Sequence, residues 1–186
     1  MPEKLSIRYA AFLRGINVGG NVLVKMADVK KLFEALGFEN VQTVLASGNI
    51  LFESGEQSAN KLASTIAAAL EKKYQRAIGV IVRSINDLQK IADSKPFKDI
   101  DAMPATRLYV TFLSEKPNST LKIPYISPEK DFTILAVTNS EIVSVLTVGE
   151  KRGTTDAMNI IEKEFGKNVT TRNWNTIEKI LKKYSE

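Results

Sequence analysis

The segment IRYAAFLRGINVGGN, residues 7–21, joins an apolar run to a polar loop that contains three glycines. Apolar residues fill alternate positions of the run, and this alternation predicts a strand over residues 6–14. Glycine tolerates backbone conformations that a side chain forbids, and it lets a partner approach the backbone closely. The segment therefore predicts a strand that leads into a tight loop whose backbone groups are accessible to a ligand.

The chain up to residue 83 alternates between helical and extended patterns around this segment. A helix is expected after the loop, with Gly37 placed to end it, and a hairpin is expected around Ser47-Gly48-Asn49. A second helix and a β-branched strand complete the order β-α-β-β-α-β, which is that of ferredoxin-like folds. The predicted helices lie within residues 29–36 and 62–74, and the later strands lie at 41–46, 50–52 and 78–82.

Residues 84–186 repeat part of this plan. Ser84 and Asp87 form a capping box for a helix; a strand, a hairpin, a helix ended by Gly166, a strand and a final helix follow. Residues 114–130 contain three prolines in place of the expected helix, which is typical of a long wrapped loop. The sequence therefore predicts an α+β protein of two closely packed ferredoxin-like (split β-α-β) halves with mainly antiparallel sheets. The predicted halves span residues 1–83 and 84–186.

The chain contains neither cysteine nor histidine. This absence excludes disulfides, thiol nucleophiles, zinc sites built on thiolate or imidazole, and histidine as a general base. No group of carboxylates resembles a calcium loop, so we expect neither a metal nor a cofactor. An enzyme with this composition would have to rely on Asp, Glu, Lys, Ser, Thr or Tyr.

The net charge of +5 permits attraction to nucleic acid or another polyanion. The lysines fall on predicted helices among acids, as at Lys30-Lys31 and Lys72-Lys73, so solvated helix faces account for most of the excess. The predicted middle strands of the first half offer a single aromatic for base stacking, which supports nucleic acid weakly. The start of the chain lacks the pattern of a secretion signal, and no apolar run is long enough for a membrane helix. We therefore expect a cytoplasmic protein without a membrane partner.

The loop of residues 15–20 does not match a nucleotide-binding motif. Its outer glycines have the spacing of a Walker A loop, but Asn21-Val22 stands where Lys and Ser or Thr are required. The G-x-G-x-x-G spacing of dinucleotide sites is absent as well. A loop rich in N–H groups between a strand and a helix can still bind an anion, with Arg14, Asn17 and Lys25 nearby. The alternative is a tight turn whose asparagines satisfy its own backbone.

Two further segments precede predicted helices. In the segment Thr171-Arg172-Asn173-Trp174, Arg172 can offer a planar fork to phosphate or carboxylate, or it can act as a buried structural clamp. Asn173 is a natural N-cap for the last helix. Residues 149–155 carry two bases and two hydroxyls, which suits either phosphate binding or a threonine N-cap.

Three motifs resemble those of a known family. Residues 13–20 read LRGINVGG, Ser47-Gly48-Asn49 follows, and residues 171–174 match a closing TxRNW motif. In these motifs the chain resembles the bacterial DUF1697 family, whose members open with LRGINVGG and close with TxRNW. The resemblance implies a fold of the kind predicted above, and the family carries no assigned activity.

We expect the protein to bind a phosphorylated or otherwise anionic ligand through its glycine-rich loop, without catalysis or with weak specificity. The glycine-rich loop and the segment of residues 171–174 both lie at predicted strand-to-helix junctions, so we hypothesise that they share one site. One alternative is an enzyme acting on a nucleotide or phosphorylated metabolite; another is a protein–protein interaction module or a loop-mediated nucleic-acid binder. The sequence leaves the ligand and the oligomeric state open. The expected ligand-binding residues are Arg14, Gly15, Asn17, Gly19, Gly20, Asn21, Arg172 and Asn173.

Overall fold

The structure is a computed structural model that describes residues 6–17, 23–56, 58–101, 103–149 and 154–185. Over these residues it contains five helices and two antiparallel sheets, one of four strands and one of five. The predicted α+β class with antiparallel sheets is therefore confirmed. The chain divides into two compact units: the first comprises Met1–Asp93 and Glu178–Glu186, and the second comprises Ser94–Ile177.

The first unit has the predicted element order β-α-β-β-α-β, followed by a third helix. Its elements are β1 (Ile7–Leu13), α1 (Met26–Ala35), β2 (Glu39–Val44), β3 (Asn49–Ser54), α2 (Ala59–Tyr74), β4 (Val80–Ser84) and α3 (Ile85–Asp93). The strands follow the order β2-β3-β1-β4, and each neighbouring pair is antiparallel. The central position of β1 brings the loop that follows it next to the β2–β3 turn and the start of β4.

The second unit repeats this strand order without the first helix. Its elements are β5 (Thr106–Leu113), β6 (Tyr125–Ile126), β7 (Phe132–Val137), β8 (Glu141–Thr147), α4 (Thr154–Phe165), β9 (Val169–Asn173) and the start of α5 (Trp174–Ser185). The sheet order is β6-β7-β8-β5-β9, so β7-β8-β5-β9 corresponds to β2-β3-β1-β4 of the first unit. Residues 114–130 form a connection that contains β6 and no helix, as the prolines predict.

The two units of the structure meet after Asp93 and again after Ile177, whereas the sequence predicts one boundary after residue 83. Helix α3 belongs to the first unit, since it contacts β1 and β4 and buries Leu88 and Ile91. Helix α5 begins in the second unit and ends in the first. The first unit is therefore built from two separate stretches of the chain.

The core of the first unit brings α1 and α2 together with the sheet. Helix α2 contributes Leu62, Ile66 and Leu70, which lie one turn apart along one face. Phe33 of α1 packs edge-on against Phe52 of β3, with ring centroids 5.4 Å apart. Each such buried side chain contributes about 1.5–3 kcal/mol through the hydrophobic effect. This core holds β1 rigidly, and β1 carries the predicted loop.

Gly37 ends α1, as predicted. Its φ is +82°, and its N–H donates to the carbonyl oxygen of Glu34 at 3.0 Å. The N–H of Phe38 donates to the carbonyl oxygen of Phe33 at 3.3 Å, which completes a Schellman motif. The Phe33 and Phe38 rings also meet, so the helix end is tied to the core.

Candidate functional site

We call the end of the first unit at which β1 ends and α1 begins the loop end. There the N–H groups of Leu13 and Arg14 donate to the carbonyl oxygens of Gly48 and Gly79, both at 2.8 Å. Gly15 follows with φ +66°, and apart from its chain neighbours no atom of the described residues lies within 4 Å of the position that a Cβ would take. Gly15 therefore supplies a left-handed turn.

Asn17 closes the base of the loop with its side chain. Its Nδ2 donates to the carbonyl oxygens of Val24 at 2.9 Å and Ala46 at 2.8 Å, and its Oδ1 accepts from the N–H of Val24 at 2.8 Å. Its φ of +54° lies in the left-handed region that asparagine tolerates better than most residues. Both amide hydrogens of this predicted ligand-binding side chain are thus used within the protein. The two hydrogen bonds connect the segment just before α1 to the β2–β3 turn.

The predicted hairpin at Ser47-Gly48-Asn49 supports the loop. Gly48 is buried with φ +82°, and a Cβ there would lie 2.8 Å from Cδ1 of Ile16. Asn49 is also buried, and its Nδ2 donates to the carbonyl oxygen of Val44 at 2.8 Å. This motif therefore fixes the turn on which the loop rests. The predicted ligand residues Gly19, Gly20 and Asn21 lie outside the described residues.

The N-terminus of α1 lies at the loop end without a side-chain cap. Lys25 occupies the N-cap position, and no side chain in the described residues bonds to the first N–H groups. Helices α2 and α3 differ, because Ser58 accepts from the N–H of Lys61 and Ser84 accepts from the N–H of Asp87. Of the capping box predicted at Ser84, the structure shows the N-cap bond, while the Asp87 carboxylate accepts from the Ser84 hydroxyl. An uncapped helix start offers N–H groups and a partial positive charge to an anion.

Basic side chains accompany this helix start. Lys25 is exposed, and the Nζ of Lys73 donates to the backbone carbonyl oxygen of Asp28 at 3.0 Å, which places its charge at the first turn of α1. The stem of Arg14 lies against Gly79, since a Cβ on that glycine would be 3.3 Å from the Cβ of Arg14. The carboxylate of Asp28 opposes these charges in part. The loop end therefore combines an open helix start with several cations.

Arg172 is buried in the second unit. It lies in β9 opposite Val110, and its Nη1 donates to Oγ1 of Thr170 at 2.8 Å and to the carbonyl oxygen of Thr171 at 2.9 Å. Burial lowers the pKa of Arg172 from 12.5 to about 10, so the guanidinium stays charged at neutral pH. This geometry favours the structural clamp over the exposed fork. Arg14 lies in the other unit, and a shared site for the two arginines stays a prediction.

The residues next to Arg172 also have local partners. Asn173 is exposed and ends β9, directly before α5. The ring of Trp174 packs edge-on against Phe97 with centroids 5.3 Å apart, which anchors the start of α5. A ligand-binding role for Asn173 therefore stays a prediction, and Trp174 has a packing role.

The second predicted loop lies mostly outside the described residues, which omit residues 150–153. Helix α4 begins at Thr154, and Oγ1 of Thr154 lies 3.1 Å from the hydroxyl oxygen of Tyr109. Asp156 lies in the first turn, where it complements the helix dipole. These contacts favour a structural role for this helix start.

The described residues contain no group of three or more acidic side chains that could hold a metal ion. Within the same part of the chain, no helix is both long enough and apolar enough to cross a membrane.

The sequence did not predict a cleft of about 720 Å³ at the opposite end of β1 from the loop. It lies within the first unit, between the starts of β1, α2 and α3 and the last turns of α5. We call it the Tyr9–Tyr184 cleft. The side chains that give it its chemistry are Arg8, Tyr9, Asn86, Asp87, Gln89 and Tyr184.

Both tyrosines of this cleft have raised pKa values. Burial, followed by the charges of Glu56 and Asp87, raises the pKa of Tyr9, whose hydroxyl donates to the carbonyl oxygen of Glu56 at 2.9 Å. Burial, assisted by Glu53 and opposed by Arg8, raises the pKa of Tyr184 to about 12. The two hydroxyls are therefore neutral at physiological pH.

Comparison with known proteins identifies a family and a similar fold. A family model described as "Protein of unknown function (DUF1697)" matches residues 7–142, which include the loop and hairpin motifs but not residues 171–174. The structure resembles that of the conserved bacterial protein SP0830 from Streptococcus pneumoniae. The TM-score is 0.66 at 21% identity, and the match covers 95% of this chain and 98% of that chain. This likeness concerns the fold alone. No protein with a curated description matches the chain.

Proposed function

The chain belongs to the DUF1697 family, and we propose that it binds a phosphorylated or otherwise anionic ligand at the loop end. The observation that carries the proposal is the start of α1, which follows the glycine-rich loop and has no side-chain cap in the described residues. The first N–H groups of a helix generally lack intrahelical partners, and the helix dipole favours a negative charge there. In α1 the N–H of Asp28 donates to the carbonyl oxygen of Lys25 at 2.9 Å, so the N–H groups offered to a ligand are those before Asp28.

The surrounding side chains support an anion over a neutral ligand. Lys25 and Lys73 lie beside the first turn of α1, and Arg14 lies at the exit of β1. Asn17 holds the base of the loop in a fixed shape, so binding would cost less ordering entropy than it would in a free loop. In this proposal Asn17 positions the loop, while backbone groups and cations contact the ligand.

The proposal is tested by thermal unfolding at low salt with inorganic phosphate, nucleotides and sugar phosphates. A ligand at 100 times its dissociation constant adds about 2.7 kcal/mol to the free energy of unfolding. We expect Lys25→Ser to weaken this stabilisation, because it removes a charge and supplies a competing cap. Lys31→Ser, on the exposed face of the same helix, is the matched control and should leave the stabilisation intact. Absence of any shift, or an equal loss in both variants, would refute an anion site at this helix start.

A second candidate is a protein–protein interaction at the same end, supported by two exposed leucines. Leu23 is 88% exposed and Leu45 is 47% exposed. Asn17 binds the carbonyl oxygens of the residues that follow each of them, Val24 and Ala46, so the two leucines belong to one region. This candidate predicts indifference to anions in the same experiment. A shift produced only by RNA or DNA, and removed by salt, would instead indicate loop-mediated nucleic-acid binding.

The enzyme alternative receives less support from the loop end. Catalysis there would call for a lysine or a carboxylate with a shifted pKa in a deep pocket. Among the described residues, the one lysine with a shifted pKa is Lys61, whose pKa is raised by its hydrogen bond to Glu56 away from the loop. We therefore propose binding without a catalytic step.

A further inference from the structure

The Tyr9–Tyr184 cleft lies at the end of the first unit remote from the loop and is separate from the site proposed above. Its volume of about 720 Å³ is in the range of small-molecule sites, which run from about 300 to 1,000 Å³. Its walls come from five elements, β1, α2, β4, α3 and α5, and all of its lining residues belong to the first unit. The cleft is thus a feature of one folded unit.

One side of the cleft is cationic. The Arg8 guanidinium lies 5.3 Å from the centroid of the Tyr184 ring, and its Nε lies 3.3 Å from Oε1 of Glu53. The Arg8 side chain is 56% exposed, so its terminal nitrogens are accessible to a ligand carboxylate. The Tyr184 hydroxyl is buried and finds no hydrogen-bond partner in the described residues.

The other side of the cleft is anionic. Asp87 is exposed in the first turn of α3; Oδ2 of Asp87 accepts from the Ser84 hydroxyl at 2.6 Å, and Oδ1 lies 3.3 Å from Nζ of Lys90. A carboxylate has about four lone-pair sites, so Asp87 retains acceptor capacity for a ligand ammonium group. Glu56 also lies near the Tyr9 hydroxyl, and the two carboxylates are ion-paired with Lys61 and Lys90 respectively. Amide groups of Asn86 and Gln89 add neutral hydrogen-bonding capacity nearby.

Opposite charges on the two sides of one cleft match a ligand that carries both. We propose that the Tyr9–Tyr184 cleft binds a small zwitterion of the α-amino acid type, free or as a short peptide, with its carboxylate at Arg8 and its ammonium group at Asp87. Simple anions are opposed by Asp87, and simple amines are opposed by Arg8. The cleft therefore favours a zwitterion over a ligand that carries only a carboxylate or only an ammonium group.

The proposal is tested on the full chain by thermal unfolding with the twenty α-amino acids and with a set of dipeptides. Any compound that raises the melting temperature is then titrated by calorimetry. The N-acetylated and carboxyl-amidated forms of the same compound are titrated in parallel. We expect each blocked form to bind about tenfold or more weakly, because one charge-assisted hydrogen bond is lost in each. Free amino acids and dipeptides form separate arms, which distinguish the two sources of the zwitterion.

Two charge-removing variants test the assigned residues. Arg8→Gln and Asp87→Asn should each weaken binding about tenfold or more, whereas Arg107→Gln and Asp99→Asn, at exposed positions of the second unit, should not. Asp87→Asn keeps an acceptor for the Ser84 hydroxyl, so the start of α3 stays capped. Chemical-shift mapping on the wild-type protein provides a readout that does not depend on variant folding. It should report changes at Ile7 and Asn86 and none at Gly15.

Three results would overturn the proposal: no zwitterion raises the melting temperature, the blocked forms bind as tightly as the parent, or the mapped shifts lie at the loop end. Loss of phosphate binding in Lys25→Ser does not bear on this cleft, so the two proposals fail independently.

Discussion

Gly48 shows how one residue determines the base of the candidate site. It combines a left-handed backbone with a close approach to two side chains: a Cβ would lie 2.8 Å from Cδ1 of Ile16 and 3.0 Å from Cβ of Leu13. Both neighbours belong to the buried core, so they have little freedom to move. The Ser47-Gly48-Asn49 motif is therefore explained by packing beneath the loop.

We expect Gly48→Ala to lower the free energy of unfolding by about 2–4 kcal/mol, because backbone strain and overpacking add. Gly37→Ala is the matched control, since Gly37 has the same φ of +82° and, apart from its chain neighbours, no atom of the described part of the chain lies within 4 Å of the Cβ position. In Gly37→Ala, backbone strain alone should lower the free energy of unfolding by about 1 kcal/mol. Urea unfolding of the two variants measures both values. Equal losses would show that the Ile16 contact relaxes and that the loop base is less rigid than the structure indicates.

Tyr184 gives a pH-dependent prediction at the residue scale. Its pKa is raised from 10.0 to about 12, first by burial and then by Glu53. The unfolded chain therefore ionises this phenol before the folded protein does. The resulting stability is fully present below pH 10 and is lost as the pH rises toward 12. Wild-type protein should lose more unfolding free energy over that interval than Tyr184→Phe.

Urea unfolding at several pH values measures this difference. Below pH 10 we expect Tyr184→Phe to be at least as stable as wild type, because the hydroxyl has no partner in the described residues. Parallel pH profiles for the two proteins would contradict the raised pKa of Tyr184.

At the scale of elements, the start of α1 is the part of the first unit where, under the proposed function, stability and anion binding would compete. Lys25 has φ −71° and ψ 118°, the extended geometry of an N-cap residue, but its side chain cannot accept a hydrogen bond. We expect Lys25→Ser to raise the free energy of unfolding by about 0.5–1 kcal/mol without ligand, since serine supplies the missing cap. Lys31→Ser should not stabilise. The two variants are compared by urea unfolding in phosphate-free buffer, and a destabilised Lys25→Ser would show that the helix start already has a partner.

The elements of the first unit could be predicted because their signals are local. Leu62, Ile66 and Leu70 follow helical periodicity, Gly37 ends α1, and Ser84 with Asp87 caps α3. The two-residue strand β6 was not predicted, since its pairing with β7 leaves no periodic trace among prolines. Local signals specify elements well, but a strand this short depends on its partner.

The candidate sites were less predictable than the elements. The loop could be located from its glycines, but the bonds of Asn17 to Val24 and Ala46 depend on tertiary structure. The Tyr9–Tyr184 cleft left no local signal, because Arg8 and Tyr184 come from opposite ends of the chain and meet only in the folded unit. A contact between residues at such a separation in the sequence cannot be inferred from spacing.

At the scale of the whole molecule, the first unit depends on both ends of the chain. Residues 178–186 belong to it, with Ile180 fully buried and the Tyr184 ring beneath the Arg8 guanidinium. Removing these residues should destabilise the first unit by about 2–5 kcal/mol or more, the cost of losing a buried aliphatic side chain. It should also remove one wall of the Tyr9–Tyr184 cleft.

Amide hydrogen exchange shows which part of the truncated chain loses stability. In the truncated chain we expect the amides of β1 to exchange faster, while those of β5 in the second unit keep more of their protection. A full-length protein with Lys182→Ala and Lys183→Ala controls for the lost charge, because both lysines are exposed in the same segment. Equal loss of protection in β1 and β5 would mean that the two units unfold as one cooperative body. In that case the C-terminal segment would stabilise the entire chain, and binding at either proposed site would protect both sheets.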